Sequence, residues 1–353
     1  MKKPIHLALV GATGAVGREV LSILEHKNLH LEKFSLFASE RSEGVKIPFQ
    51  EKMLSVERLV PEVFERNIDY AIFSAGKTLA QEFAPIALRN GITVIDNSSA
   101  FRMDERIPLV VPEVNAHTLN RKEPEIIANP NCSTIQLVMV LKPLEKYRIK
   151  RVVVSTYQAH SGAGHKAQEE LRTQTTDFLK RLSFLQLTES NSGNPQSEAT
   201  LMKNVFSHQI AFNCIPHIDQ FDESGYTFEE IKVINETRKI MGLPELKITC
   251  TAVRVPVLDS HSESVNIEFE SAFKLEDIKN DLGAFPGVKV LDNPKAHVYP
   301  LNVEARGRDE VFVGRIRRDP SLNSGLNMWV VSDNLRKGAA LNAVQILETL
   351  LTS

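Results

Sequence analysis

Short, almost wholly apolar runs alternate with amphipathic stretches through the first third of the chain. Residues 5–10 (IHLALV) read as a strand buried on both faces, and they pass through a glycine-rich turn at 11–17 into a helical pattern at 16–26. A second strand pattern follows at 34–38, and further apolar runs at 70–73 and 92–95 flank a helical pattern at 79–89. Strand and helix patterns in alternation predict a parallel sheet covered by helices, so the first third is α/β. Beyond about residue 150 the strand-like stretches lengthen, to 151–158, 247–257, 262–270 and 298–306, with helical patterns at 165–181 and 228–241 between them. They predict a second, α+β domain on a mixed, largely antiparallel sheet. The polar stretch at 188–197 (TESNSGNPQS) predicts an exposed loop. Apolar residues return at helical spacing over 336–350 (Ala339, Ala340, Val344, Ile346, Leu347 and Leu350), and this last helix is expected to pack back on the first domain.

The chain has 353 residues, 42% of them apolar and 24% charged, enough for two domains with separate cores. Its 42 basic and 44 acidic residues leave a formal net charge of -2. No long-range field gathers nucleic acid or anionic lipid, so any bound anion is held by local geometry and no nucleic-acid partner is expected. No apolar run approaches the roughly 18 residues that a membrane-spanning helix needs, so no membrane partner is expected either. Lys2 and Lys3 precede a short apolar stretch, but glycines at 11, 14 and 17 interrupt it before a signal core forms. The three cysteines, Cys132, Cys214 and Cys250, cannot build a disulfide scaffold and leave at least one thiol unpaired. A cytoplasmic protein in a reducing compartment is expected.

In VGATGAVG, residues 10–17, glycines follow a buried strand pattern and open a helix. Gly11 permits a tight turn, Gly14 lets the backbone approach a ligand, and Gly17 lets helix and strand pack closely, while the helix start offers free N–H groups to a pyrophosphate. The spacing is GxxGxxG, a relative of the dinucleotide-binding GxGxxG, and a plain strand-to-helix turn is the bland alternative. The second strand pattern ends in Ala38-Ser39-Glu40-Arg41-Ser42. A carboxylate there suits the ribose 2′-hydroxyl of NAD and an arginine the 2′-phosphate of NADP, so Glu40 and Arg41 point in opposite directions. A basic side chain beside a hydroxyl makes a good monophosphate cradle, and NADP is the expected cofactor.

Residues 126–146 run from a short strand through Asn129-Pro130-Asn131 into an apolar helix beginning near Ser133. Cys132 then stands at a helix start, where the partial positive charge is expected to favour thiolate and lower the pKa. Cys214 and Cys250 lie in strand-like apolar surroundings and read as small buried hydrophobes. A nicotinamide-binding turn and a helix-capped thiol in one chain suggest one chemistry. A thiolate adds to an aldehyde, the adduct gives hydride to the nicotinamide, and a thioester is left for a second nucleophile. An acid/base is then needed, and spacing alone does not choose among His160, His165, His217 and His261. The sequence holds no tight His/Cys/carboxylate grouping, and no metal site is expected.

These residues carry a resemblance. VGATGAVG, FRMDERIPLVVPEVN at 101–115, NPNCST at 129–134, YQAHSGAG at 157–164, IPHID at 215–219, EEIKVINETRKI at 229–240, RVPVLDSHSESV at 254–265, and VGRIRRD with WVVSDNLRKGAALNAVQI near the end occur in order. With them the chain resembles bacterial-type aspartate-semialdehyde dehydrogenases over nearly its whole length. The resemblance implies an NADP-binding Rossmann-type domain at 1–133, completed by the C-terminal helix at 331–353, and a catalytic and dimerisation domain at 134–330. It implies reductive dephosphorylation of L-aspartyl 4-phosphate by NADPH, giving L-aspartate 4-semialdehyde and inorganic phosphate, in lysine/diaminopimelate, threonine and methionine biosynthesis. A homodimer or homotetramer is implied as well.

In that family's terms Cys132 is the nucleophile, His261 the acid/base, Gln158 an orienter of substrate, and Asn131 an aid to positioning the thiol. Arg254 suits the substrate's carboxylate, Glu229 its ammonium, and Lys232, on the same helix face as Glu229, joins Arg102 at the phosphate. For the cofactor the resemblance implies Gly11, Thr13, Gly14, Ala15 and Val16 at the pyrophosphate, Arg41 and Ser42 at the 2′-phosphate, Ser161 and Gly162 near the nicotinamide, and Asn334 from the C-terminal segment. His160 stands where a small apolar residue is implied. As a polar side chain it is expected to point to solvent, the alternative being an altered pocket edge. The rival readings are N-acetyl-γ-glutamyl-phosphate reductase, glyceraldehyde-3-phosphate dehydrogenase, and a non-catalytic NADP-sensing protein. Glu229 and Arg254 together argue against the first two, and a reactive thiol against the last.

Overall fold

The computed structural model describes residues 4–27, 29–120, 122–187 and 205–352, so the loop expected at 188–197 lies outside the described residues. The first part of the chain runs β1 (Ile5–Val10), α1 (Ala15–His26), β2 (Leu31–Ala38), β3 (Lys46–Phe49), β4 (Lys52–Arg58), β5 (Tyr70–Phe73), α2 (Lys77–Arg89), β6 (Thr93–Asp96), the one-turn α3 (Pro112–Asn115) and β7 (Ile126–Ala128). Its strands form one sheet in the order β3-β4-β2-β1-β5-β6-β7, parallel except where β3 turns back on β4. All six residues of β1 are buried, as a strand covered on both faces requires. β1 lies between β2 and β5, where the order of strands reverses, and a doubly wound sheet opens its ligand crevice at that point.

The second part runs α4 (Cys132–Leu141), β8 (Ile149–Gln158), α5 (His165–Leu187), α6 (Phe228–Met241), β9 (Lys247–Arg254), β10 (His261–Phe269), α7 (Leu275–Ala284), β11 (Val288–Val290), α8 (Asn302–Ala305), β12 (Val311–Asp319), β13 (Gly325–Ser332) and α9 (Leu341–Leu351). Its sheet has the order β11-β12-β13-β10-β8-β9. The pairings of β10 with β8 and β13, and of β12 with β13, are antiparallel, and those of β8 with β9 and β11 with β12 are parallel. α4 lies across the inner face of this sheet with residues 133–141 all buried, a helix enclosed on every side.

Residues 298–306, expected as a strand, do not form one. Pro300 has no donor for a ladder, and the segment continues into the short α8. The strands that complete the sheet are β12 and β13; β12 shifts register between Gly314 and Arg317, which breaks the alternation a strand would show in sequence. Cys214 departs from expectation too. It is exposed outside any strand, its amide taken by Asn213 Oδ1, whereas Cys250 is buried in β9.

The chain returns to the first sheet at its far end. Arg336–Ala340 make a π-helical turn, and α9 then packs Leu341, Val344, Ile346 and Leu347 into the core that holds Leu7, Leu9 and Leu24. Lys337 in that turn is buried, and its Nζ donates to Glu113 Oε2 (2.7 Å), Gln345 Oε1 (2.7 Å) and Asn342 Oδ1 (3.1 Å). Breaking a buried ion pair by removing one partner costs about 3–5 kcal/mol, so this contact fastens the returning segment. No helix among the described residues is long and apolar enough to cross a membrane.

Candidate active site

A cavity of about 540 Å³ lies where the two sheets meet, with Cys132 in its wall. Asn131, Gln158, Arg102, Glu229, Lys232 and Arg254 share it, and so do Ala15, Val16, Ser161, Gly162 and Asn334 from the expected cofactor set. The topology explains the convergence. Parallel β8 and β9 place Gln158 opposite Arg254 at their ends, β10 starts at His261 opposite Ser332 of β13, and α4 starts at Cys132.

Asn131 caps α4. Its Oδ1 accepts from the amides of Ser133 (3.0 Å) and Thr134 (3.3 Å), its Nδ2 donates to Glu229 Oε1 (2.8 Å), and its own amide donates to Glu236 Oε2 (2.6 Å). Gln158 Nε2 donates to Ser133 Oγ (3.0 Å) and Glu229 Oε1 (3.1 Å). Lys232 Nζ bonds Asp219 Oδ2 (2.7 Å) and Glu229 Oε2 (3.3 Å). Arg102 donates to Glu236 Oε1 (3.2 Å) and the Asn97 carbonyl (3.0 Å), and Arg254 Nη1 donates to the Ala159 carbonyl (2.5 Å). Nε of each arginine is buried without a partner, and orphaned cationic donors beside a cavity mark a place for an anion.

The expected lowering of the Cys132 pKa is not found. Burial first, then the negative charge of Glu229, push the thiol up to about 12, against the pull of Arg102, Arg254 and the Ser133 amide. The Asn131 cap already engages the amides of Ser133 and Thr134, so the helix start gives the sulfur less than its position alone promises.

His261 sits behind the cavity wall, fully buried. Its Nδ1 accepts the Ala159 amide at 3.0 Å, so the neutral ring carries its proton on Nε2. That nitrogen has no partner, and a Cβ added at Gly162 would come within 3.1 Å of it; the missing side chain of Gly162 is what leaves the ring near the cavity. Burial and then the charge of Arg254 lower the His261 pKa to about 3. His160, expected to face solvent, is instead buried: its Nδ1 lies 3.1 Å from the Val257 carbonyl, its ring packs edge-on against Phe206, and burial lowers its pKa to about 4. The turn at His160–Ala163 folds the ring inward because the amides of His160 and Ser161 bond the carbonyls of Val257 and Leu258.

A groove of about 650 Å³ runs on over the first sheet, lined by Gly11, Thr13, Gly14 and Arg41. Gly11 has φ +85°, and a Cβ there would meet the Ser74 carbonyl oxygen at 2.8 Å; a Cβ at Gly17 would meet the Gly11 oxygen at 2.2 Å. Ser42 reaches the groove through Thr13, their hydroxyls 3.2 Å apart. Glu40, the argument for NAD, is paired with Arg58 at 3.2 Å, and Arg58 adds a second cation to the groove beside Arg41.

Several residues that no sequence pattern singled out belong here. Glu236 could have been found, since Glu229, Lys232 and Glu236 follow one helix face at i, i+3 and i+7. Gly338, in the π-helical turn, packs so closely that a Cβ on it would lie 2.9 Å from Cys132 Cβ. Asn97, Ser99, Asp219 and Arg58 carry no local signal of their role. Among the described residues, no group of three or more His, Cys, Asp and Glu side chains is placed to hold a metal ion.

Comparison with known proteins agrees with this arrangement. Residues 6–122 match the family described as semialdehyde dehydrogenase, NAD binding domain, and residues 141–337 the one described as semialdehyde dehydrogenase, dimerisation domain. The chain is 49% identical over 353 residues to the aspartate-semialdehyde dehydrogenase of Bacillus subtilis, covering 99% of this chain and 98% of that one. It is 51% identical over 347 residues to that of Aquifex aeolicus, covering 98% and 97%. A crystal structure of aspartate semialdehyde dehydrogenase II from Vibrio cholerae, described as complexed with ASA, superposes with a TM-score of 0.90 at 42% identity and 99% coverage of both chains. With the two family models spanning most of its length and relatives about half identical over nearly the whole of both chains, the chain belongs to the semialdehyde dehydrogenase family.

Proposed function

We propose that the chain catalyses the reversible, NADPH-dependent reductive dephosphorylation of L-aspartyl 4-phosphate to L-aspartate 4-semialdehyde and phosphate. The observation that carries this is one cavity in which the Cys132 thiol stands among a guanidinium (Arg254), a carboxylate (Glu229) and two further cations (Arg102, Lys232). The substrate brings a carboxylate, an ammonium and an acyl phosphate, and each finds an opposite charge. An N-acetylated substrate would give Glu229 no ammonium to meet.

The groove fits a nicotinamide dinucleotide: Gly11, Thr13, Gly14, Ala15 and Val16 would hold the pyrophosphate, Arg41, Ser42 and Arg58 the 2′-phosphate, and Ser161, Gly162 and Asn334 the nicotinamide end. Bound NADPH would supply a hydride to the acyl carbon. The chain's own work is around the sulfur. Cys132 attacks the acyl carbon, the bond to phosphate breaks, the phosphate takes up the thiol's proton and departs toward Arg102 and Lys232, and a thioester remains on the sulfur. After reduction, the N–H of His261 Nε2 donates to the oxygen of the tetrahedral adduct as negative charge builds there and keeps its proton as the carbonyl re-forms; the sulfur leaves as thiolate and takes up a proton from solvent.

The substrate's charges tune both groups. A carboxylate on Arg254 offsets the charge that depresses His261, and an ammonium at Glu229 offsets the charge that, after burial, raises the Cys132 thiol. Gln158 and Asn131 hold Glu229 and the helix start in place while this happens.

We place the domain boundary at the first turn of α4, about 133/134, with the part of 331–353 that follows β13 completing the first domain, and we infer a homodimer or homotetramer. Val153, Ser155 and Tyr157 of β8, Val253 of β9, Ser264 of β10 and Trp329 of β13 form an uncharged, half-buried outer sheet face, with Tyr157 and Trp329 rings 5.2 Å apart. A second copy suits such a face better than water does. The test is a steady-state assay in the oxidative direction with phosphate. Rapid NADP reduction with aspartate semialdehyde and little with the N-acetyl-glutamate analogue is expected; the reverse preference defeats the substrate assignment.

A further inference from the structure

One buried ionisable side chain near the site has no part in the scheme above. Along β10, His261, Glu263, Val265, Ile267 and Phe269 alternate onto the face that α4 covers, and all are buried. Glu263 pairs in register with Thr156 of β8 and Val330 of β13, one row below His261 and its cross-strand neighbour Ser332. Neither carboxylate oxygen of Glu263 has a hydrogen-bond partner. Facing it from α4, one turn below Cys132, is Gln136, also fully buried. Gln136 Oε1 accepts from Ser332 Oγ at 2.6 Å, and its Nε2 is left without a formed bond.

We propose that Glu263 is a positioning residue for the reaction: through Gln136 it ties β10 to α4 and so sets the distance between His261 and the Cys132 sulfur. The proposal rests on the roles given above to Cys132 and His261. Two orphaned groups, each one step behind a reacting side chain, face each other across the two elements whose spacing the chemistry depends on. Burial pushes the Glu263 carboxyl up to about 8, against a pull from Gln136, so at pH 7 it is a neutral acid able to donate and accept. In that form it bridges the elements without setting a second charge beside His261. On the same buried side lies the Cys250 thiol of β9, pushed well above its ordinary value by burial first and then by Glu263, Glu230 and Glu229, while α4, β8 and β13 present Gln136, Thr156 and Val330.

Three substitutions test this. Glu263→Ala is expected to lower kcat by about tenfold or more, as a small misplacement of reacting groups does, with KM for semialdehyde and NADP within about twofold. Glu263→Gln, neutral and of equal size, should recover kcat to within about threefold. Should the alanine variant not fold, Glu263→Leu fills the same space and should show the same loss. An active wild type with kcat unchanged in Glu263→Ala or Glu263→Leu, or a loss that Glu263→Gln does not recover, overturns the positioning role.

Thermal melting without substrate gives a reading independent of the proposed function. Between pH 4.5 and about 8 the folded protein keeps a proton on Glu263 that the unfolded chain has lost, so wild-type stability falls as pH rises through that window. Glu263→Gln should remove this component of the slope, melting above the wild type at pH 8. Equal pH slopes overturn the neutral strut whether or not the enzyme proves to act on aspartate semialdehyde.

Discussion

The two sheets meet the same cleft by different means. The first offers it backbone: at the ends of its strands stand Gly11, Ser39 and Ser74, and the groove is shaped by what those positions lack. The second offers side chains carried on the strands themselves, Gln158 at the end of β8, Arg254 at the end of β9 and His261 at the start of β10. Binding a long dinucleotide through its pyrophosphate needs close approach and free amides, which glycine supplies; moving protons and acyl groups needs particular atoms held rigidly. Substitutions should therefore fail differently on the two sides, in turnover on one and in cofactor affinity or folding on the other.

Cys132→Ser is the strongest trial of that division. An alcohol is far less ionised than a thiol, so turnover should all but vanish while fluorescence titration still shows NADP binding; retained turnover would mean that another nucleophile operates. His261→Ala comes next, with kcat expected to fall by roughly 10²- to 10⁴-fold. A loss confined to substrate KM would move His261 from chemistry to binding. On the other side, Gly17→Ala forces a Cβ to 2.2 Å from the Gly11 oxygen, and should lower Tm and raise KM for NADP more than it lowers kcat. Gly338→Ala, at 2.9 Å from Cys132 Cβ, should do the opposite although it too adds one methyl group. If both glycine variants lost kcat alone, the proposed split between the sheets would be wrong. The mildest effect is expected at Arg58→Ala, which removes an exposed cation and should weaken NADP by about threefold while leaving NAD unchanged, as exposed charge pairs contribute little.

What could be read from sequence follows the same line. α6 was legible from its helical pattern at 228–241, and the structure fixes the same two ends with a capping box of Thr227 and Glu230 and a left-handed cap at Gly242. The glycine turn was legible because each glycine answers a local steric demand. The helix start at Cys132 was also legible, yet the state of its thiol was not: that depends on Glu229 and Arg254, brought close by the second sheet. His160 misled for a related reason, since its surroundings, Val257 and Phe206, come from distant segments. Strands β12 and β13 escaped because a register shift between Gly314 and Arg317 blurs the alternation where they pair.

The seat of Lys337 bears on how the enzyme is made. Gly338, which packs against Cys132, follows it by 206 positions, and its neighbour finds Glu113 only after the whole second sheet has been synthesised. During translation the nucleophile thus emerges long before its cover, and a partly made chain presents a bare thiol in an unfinished cleft. The ion pair of Lys337 with Glu113 therefore holds the last-made wall of the cavity, Gly338 included, against the helix start that carries the thiol.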